Sequence, residues 1–211
     1  MTVEPLDQAR LAAGLDGLAR HDGDVAAALA RLGAPAARVR PPGFATLLRI
    51  VTAQQVSTHA AAAIWGRLEA RLGEVTPRAL LAVPAEDLRA AGLSARKTEY
   101  ATGLARAVAD GTLDPDALAH AEDEAVVEAI TALKGFGRWS AEIYLLFALG
   151  RADAFPADDL ALRLALGRLK GVEARPTTAA ARTLVAPWAP WRGCGAIFLW
   201  HYYGAATLDR S

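Results

Sequence analysis

Residues 133–149 read L-K-G-F-G-R-W-S-A-E-I-Y-L-L-F-A-L, and an Asp158-Asp159 pair follows. Gly135 and Gly137 stand one residue apart between two helical patterns, where they allow positive φ and leave backbone N–H groups uncovered. Such a hairpin can hold a phosphate. Upstream, Val126, Ile130 and Leu133 fall on one face, and downstream Trp139, Ile143, Leu146 and Gly150 continue the period, which predicts helix, tight hairpin, helix. The second helix also carries Ala141, Tyr144, Leu145, Phe147 and Ala148, so it is apolar nearly all round and is expected to run through the middle of the fold. A carboxylate delivered near its start would enter a low-dielectric site.

Working outward, the chain has 211 residues, 53% hydrophobic and 22% charged, enough for one large core or two small subdomains. Ala and Leu dominate and strict alternation is rare, so the expected class is all-α. Lys plus Arg number 23 and Asp plus Glu 23, which argues against a strong non-specific nucleic-acid binder and leaves room for a local basic rim. Cys194 is the single cysteine, which excludes an internal disulfide, a multi-cysteine zinc site and a four-cysteine iron-sulfur cluster. His21, His59, His120 and His201 lack metal-ligand spacing, so neither a catalytic metal nor a cofactor is expected. No signal segment and no apolar run of membrane length is read, and the expected location is the cytoplasm, at the nucleoid.

Before the hairpin, residues 6–32 read as two packing helices broken around residues 20–23, and the proline- and glycine-bearing stretch 33–43 as a connecting loop. The apolar face of Leu47, Ile50 and Val51 breaks at Gln54-Gln55-Val56-Ser57, after which Ser57 or Thr58 can cap a helix over 60–68. Taken alone, the two glutamines read as a polar turn. Residues 76–88 make two short helical turns, and Ser94 caps a helix over 95–110 whose first turn holds Arg96 and Lys97. These two cations read equally as solvated charges or as phosphate contacts. After the hairpin, Asp158 or Asp159 reads as an N-cap for a helix over 160–169.

The order of Leu133 to Gly137, a helix, and Phe155-Pro156-Ala157-Asp158-Asp159 resembles the helix-hairpin-helix (HhH-GPD) DNA glycosylases. Within them, Gln54 to Ser57 and the W-x-P-W-R of Trp188, Pro190, Trp191 and Arg192 are similar to the alkylbase branch, the DNA-3-methyladenine glycosylase II type, here without room for the N-terminal β domain of many bacterial members. The resemblance implies two helical subdomains flanking a cleft, one of about 1–43 plus 172–211 and one of about 44–171. It also implies a monomer that acts on double-stranded DNA containing damaged bases.

By the same resemblance Asp159 is the catalytic carboxylate, with Asp158 the alternative, and Trp139, Trp200 and Tyr144 line the base pocket. Gln55 becomes the wedge that fills the space of an extruded nucleotide and Gln54 a neighbouring contact, with Ser57 in the same loop. The hairpin set Lys134, Gly135, Phe136, Gly137, Arg138 and Ser140 would meet the DNA backbone, together with Arg96 and Lys97. Carbonyls of Lys134 to Gly137 can share a monovalent, non-catalytic cation with that backbone, and Lys134 stands where the family usually has proline.

Position 139 bears on the reaction. Members that also cut the strand place a nucleophilic lysine two residues after the second hairpin glycine, and this chain has Trp139, so water is the expected acceptor. Electron-rich rings suit a purine made cationic by methylation, through a cation-π term of roughly 0.5 to 2 kcal/mol that a normal base lacks. The expected activity is monofunctional release of 3-methyladenine- and 7-methylguanine-type bases in base excision repair. Two alternatives stay open: a related enzyme for uracil or an oxidised purine, and a non-catalytic module that binds DNA through the hairpin.

Overall fold

A computed structural model describes residues 4–208, and all regular structure among them is helical, as expected. The order is α1 (Gln8–His21), α2 (Gly23–Leu32), α3 (Phe44–Ala53), α4 (Thr58–Leu72), α5 (Pro77–Ala82), α6 (Ala85–Ala90) and α7 (Ala95–Ala109). It continues with α8 (Pro115–Leu118), α9 (Asp123–Thr131), α10 (Arg138–Phe147), α11 (Leu160–Leu169), α12 (Thr178–Val185), a 3-10 turn (Ala186–Trp188) and α13 (Arg192–Leu208). Side-chain caps fix most of the starts. Ser57 accepts from the Ala60 amide, Thr76 from Ala79 with Pro77 behind it, Ser94 from Lys97, and Asp114 from Asp116 and Ala117 ahead of Pro115. No helix among the described residues is long and apolar enough to cross a membrane.

One compact unit is formed by Arg40–Tyr144. Its centre is α7, whose Ala101, Ala105 and Ala107 are small enough to let α3 and α5 pack close. Leu47, Leu48 and Val51 of α3 and Leu104 of α7 are at or near zero exposure, each worth roughly 1.5–3 kcal/mol of burial.

The other unit takes Glu4–Val39 and residues 145–208. Its centre is α13, where Cys194, Ala196, Ile197, Phe198 and Leu199 are buried and α1, α2 and α11 pack around it. Gly14 and Gly17 of α1 lie against the Trp191 ring, and Gly195 lies under Trp188. Asp22 caps α2 and also accepts from Lys170 Nζ at 2.6 Å and from the Trp188 indole at 2.7 Å. Burial raises the Asp22 pKa, but the bonds from Lys170 and Trp188 outweigh it and leave the carboxyl below its ordinary value. Burial pushes the Cys194 thiol up to about 12, which makes it an unreactive packing group.

Four sequence expectations change. The middle unit closes at Tyr144 and not near residue 171, because α11 packs on α13. On α10 the half-open stripe is Trp139, Ile143 and Phe147, in steps of four, while Leu146 joins the buried side with Ser140, Ala141, Tyr144, Leu145 and Ala148. Only Gly135 of the hairpin pair has positive φ, +91°; Gly137 does not. The helix α12 falls where no element was expected, since its apolar stripe reduces to Ala181 and Val185.

Candidate active site

The hairpin is closed by the Phe136 amide donating to the Leu133 carbonyl at 3.1 Å, with Lys134 and Gly135 between them. A turn with positive φ at its third residue accepts glycine there and favours proline just before, which explains both Gly135 and the family's usual proline at position 134. A Cβ on Gly135 would collide with the Tyr100 ring. Gly137 is exposed with open space around its Cα, and its carbonyl accepts from Ser140 at 2.9 Å to open α10. A helix start of this kind carries the positive end of the helix dipole, the arrangement that draws an anion.

Side chains of the hairpin divide by burial. Phe136 is 5% exposed and Ser140 1%, so both side chains belong to the core, where the sequence reading places them among the DNA contacts. Lys134 reaches back to Glu99 at 2.6 Å, and that bond raises its pKa. Arg138 bonds Glu124 at 2.5 Å and Glu142 at 3.0 Å, and the Glu124 bond holds its guanidinium above its ordinary value. The Gly135 carbonyl, among those considered for a cation, accepts from Gln54 Nε2 at 2.9 Å.

The loop between α3 and α4 carries the glutamines. Gln54 is half-buried, and its Nε2 also donates to Ser140 Oγ at 3.1 Å. Gln55 is exposed with φ +56°, the one non-glycine residue with positive φ among those described. Ser57 is exposed and caps α4. Lys97 is not a solvated cation: Nζ donates to the Thr52 carbonyl at 2.8 Å, and burial lowers its pKa. Arg96 is exposed.

The carboxylate stands on the other unit. Residues 154–157 are buried and tightly turned, with Ala157 N–H to Phe155 O at 2.8 Å and Asp159 N–H to Pro156 O at 2.9 Å, so Asp159 arrives on a rigid base. Its Oδ1 accepts from the Leu162 amide at 3.0 Å as N-cap of α11 and from the Trp200 indole at 3.3 Å. The helix N-terminus favours negative charge there. Asp158 is exposed and accepts from Thr178 Oγ1 at 2.9 Å. Trp200 stacks on Phe147 with centroids 5.7 Å apart and planes 27° from parallel. Phe147 was not singled out in the sequence, although its position four residues after Ile143 aligns it with Trp139.

Tyr144 does not line a pocket. It has no exposure, its hydroxyl accepts from the Gly43 amide at 2.9 Å, and burial raises its pKa with the Gly43 bond opposing. The structure thus brings together Gln54, Gly135 and Ser140 in one unit, and Asp159, Trp200 and Phe147 in the other.

Residues 48–190 match the family described as HhH-GPD superfamily base excision DNA repair protein. The chain belongs to this superfamily. Among HhH-GPD proteins it is similar to DNA-3-methyladenine glycosylase 1 of Schizosaccharomyces pombe, 34% identical over 161 residues that cover 74% of this chain and 71% of that relative. The solved Schizosaccharomyces pombe 3-methyladenine DNA glycosylase in complex with abasic DNA superposes with a TM-score of 0.83 at 28% identity, covering 96% of this chain and 98% of that one. A DNA-3-methyladenine glycosidase from Bacillus halodurans gives 0.79 at 31% identity, covering 93% and 91%. In this HhH-GPD chain the hairpin of residues 133–137 and Asp159 both fall inside the matched range.

Proposed function

We propose that the chain is a monofunctional DNA glycosylase that hydrolyses the N-glycosidic bond of alkylated purines after flipping them from the duplex, the opening step of base excision repair. The observation that carries this reading is the Asp159 carboxylate, fixed at Oδ1 by the Leu162 amide and the Trp200 indole within a chain of this superfamily. The names of the similar glycosylases support 3-methyladenine as a lesion, and 7-methylguanine carries the same kind of positive charge on its ring.

In the proposed mechanism the bond between the sugar C1′ and the purine nitrogen breaks with its electron pair leaving on the base. An alkylated purine already carries the positive charge that this pair neutralises, so no general acid is required. The sugar becomes oxocarbenium-like, and the ionised Asp159 stabilises that charge, orients the water that adds to C1′ and accepts the proton this water releases. Trp200, beside the carboxylate, offers an electron-rich ring to the cationic base, an attraction of roughly 0.5 to 2 kcal/mol. With Trp139 in place of a lysine, no amine competes with water and the strand is left uncut.

Gln55 enters the vacated stack, offsetting part of the few kcal/mol that extrusion costs. Gly135, Gly137 and the start of α10 hold a phosphate, while Arg96, Lys134, Arg138 and Ser57 border the backbone. The enzyme would act as a monomer on chromosomal DNA at the nucleoid. The test is chromatography of bases released from methylated duplex DNA and from duplexes bearing uracil or 8-oxoguanine. Release of 3-methyladenine and 7-methylguanine supports the reading; release of uracil or 8-oxoguanine alone assigns the enzyme to another lesion.

A further inference from the structure

We infer that Gln54 is a positioning residue that fastens the Gln55 loop to the hairpin, so that wedge and phosphate grip engage the duplex in fixed register. Gln54 ends α3. Its Nε2 donates one hydrogen to the Gly135 carbonyl at 2.9 Å and the other to Ser140 Oγ at 3.1 Å. The orientation of the amide follows from chemistry, because the Gly135 carbonyl can only accept and a reversed amide would set oxygen against oxygen.

Both anchors are closely packed. Gly135 sits at φ +91° against the Tyr100 ring, and Ser140 is 1% exposed. A second tie lies two residues before Gln54, where Lys97 Nζ donates to the Thr52 carbonyl at 2.8 Å. The next residue after the anchored Gln54 is Gln55, exposed and left-handed at φ +56°. Non-glycine residues keep such a conformation only where the surroundings impose it. Here the neighbouring contacts are those of Gln54, and the Gln55 side chain beside them is exposed.

The inference rests on Gln55 being the wedge, and its test separates the two. The substrate is a duplex with 7-methylguanine opposite either cytosine or an abasic site, since extrusion costs least where the base is unpaired. Single-turnover base release is measured for wild type, Gln54→Glu, Gln54→Met, Ser140→Ala and Gln55→Ala, well below each melting temperature. Glu keeps the shape of Gln and loses both donors; Met keeps its reach.

Loss of registration should lower the paired-to-unpaired rate ratio about tenfold in both Gln54 variants and in Gln55→Ala, because the penalty falls on extrusion. Ser140→Ala should lower it less, as the Gly135 bond survives. A wild-type ratio in the Gln54 variants with a lowered ratio in Gln55→Ala overturns the inference and leaves the wedge intact. Equal losses on both substrates in the Gln54 variants overturn it too, because they assign Gln54 to a step other than extrusion. A wild-type ratio in Gln55→Ala removes the wedge reading and the inference with it.

Discussion

The indole N–H of Trp200 donates to Oδ1 of Asp159 across 3.3 Å, while the same ring stacks on Phe147 at 5.7 Å. One tryptophan therefore does two separable things: its ring packs, and its nitrogen holds the carboxylate. Trp200→Phe keeps the first and removes the second. A hydrogen bond to a charged group contributes about 1.5–3 kcal/mol, so the single-turnover rate of base release should fall at least about tenfold. Trp200→Ala should fall further. A wild-type rate in Trp200→Phe would show that the N–H is dispensable.

The two hairpin glycines should respond differently to alanine. At Gly135 the new methyl group meets the Tyr100 ring and φ is +91°, so Gly135→Ala should lose stability, on the order of 1–3 kcal/mol, read by chemical denaturation. Gly137 has open space and no positive φ, so Gly137→Ala should fold as wild type while binding abasic-site DNA more weakly, the methyl group obstructing the phosphate. Equal melting of the two variants would contradict the turn geometry.

Neighbouring cations on α7 should part company in DNA binding. Arg96 is exposed, and if it meets a phosphate, Arg96→Ala should reduce the slope of log affinity against log salt by about 1. Lys97 is tied to the Thr52 carbonyl, so Lys97→Ala should lower the melting temperature and leave that slope unchanged.

Acid should probe the Asp22 cluster. The folded Asp22 pKa lies below its ordinary 3.8, so its stabilising effect is present above that value and is lost as pH falls through the folded pKa. Lys170 has a raised pKa: burial opposes its charge, but its bonds to Asp22 and Asp24 prevail, so its share persists up to the ordinary 10.5. Asp22→Asn should therefore cost about 1–3 kcal/mol at neutral pH, and the difference from wild type should shrink at acid pH, as pH falls from the ordinary carboxylate value through the folded pKa. Urea unfolding at neutral and at acid pH checks this.

Much of this was legible because the signals were local. The apolar periods and caps gave α11 at its observed bounds, and the G-x-G spacing marked the hairpin. The Asp pair left two readings, cap or carboxylate, and Asp159 carries the cap while keeping a geometry suited to the other. What was not legible depends on partners distant in sequence. Nothing near Lys97 announces the Thr52 carbonyl, nothing near Gln54 announces Gly135, and Tyr144 looked like a pocket ring until the Gly43 amide took its hydroxyl. Phe147 was read as core because periodicity alone does not tell the half-open stripe of an all-apolar helix from its buried side.

The central claim is tested most directly by base release from methylated duplex DNA, comparing wild type with Asp159→Asn and running alkali-treated and untreated strands side by side. Asparagine preserves the cap on α11 and removes only the charge. The account predicts free methylated purine from wild type, strand breaks only after alkali, and loss of both in Asp159→Asn with melting unchanged. Undiminished release by Asp159→Asn, or strand breaks without alkali, would contradict it.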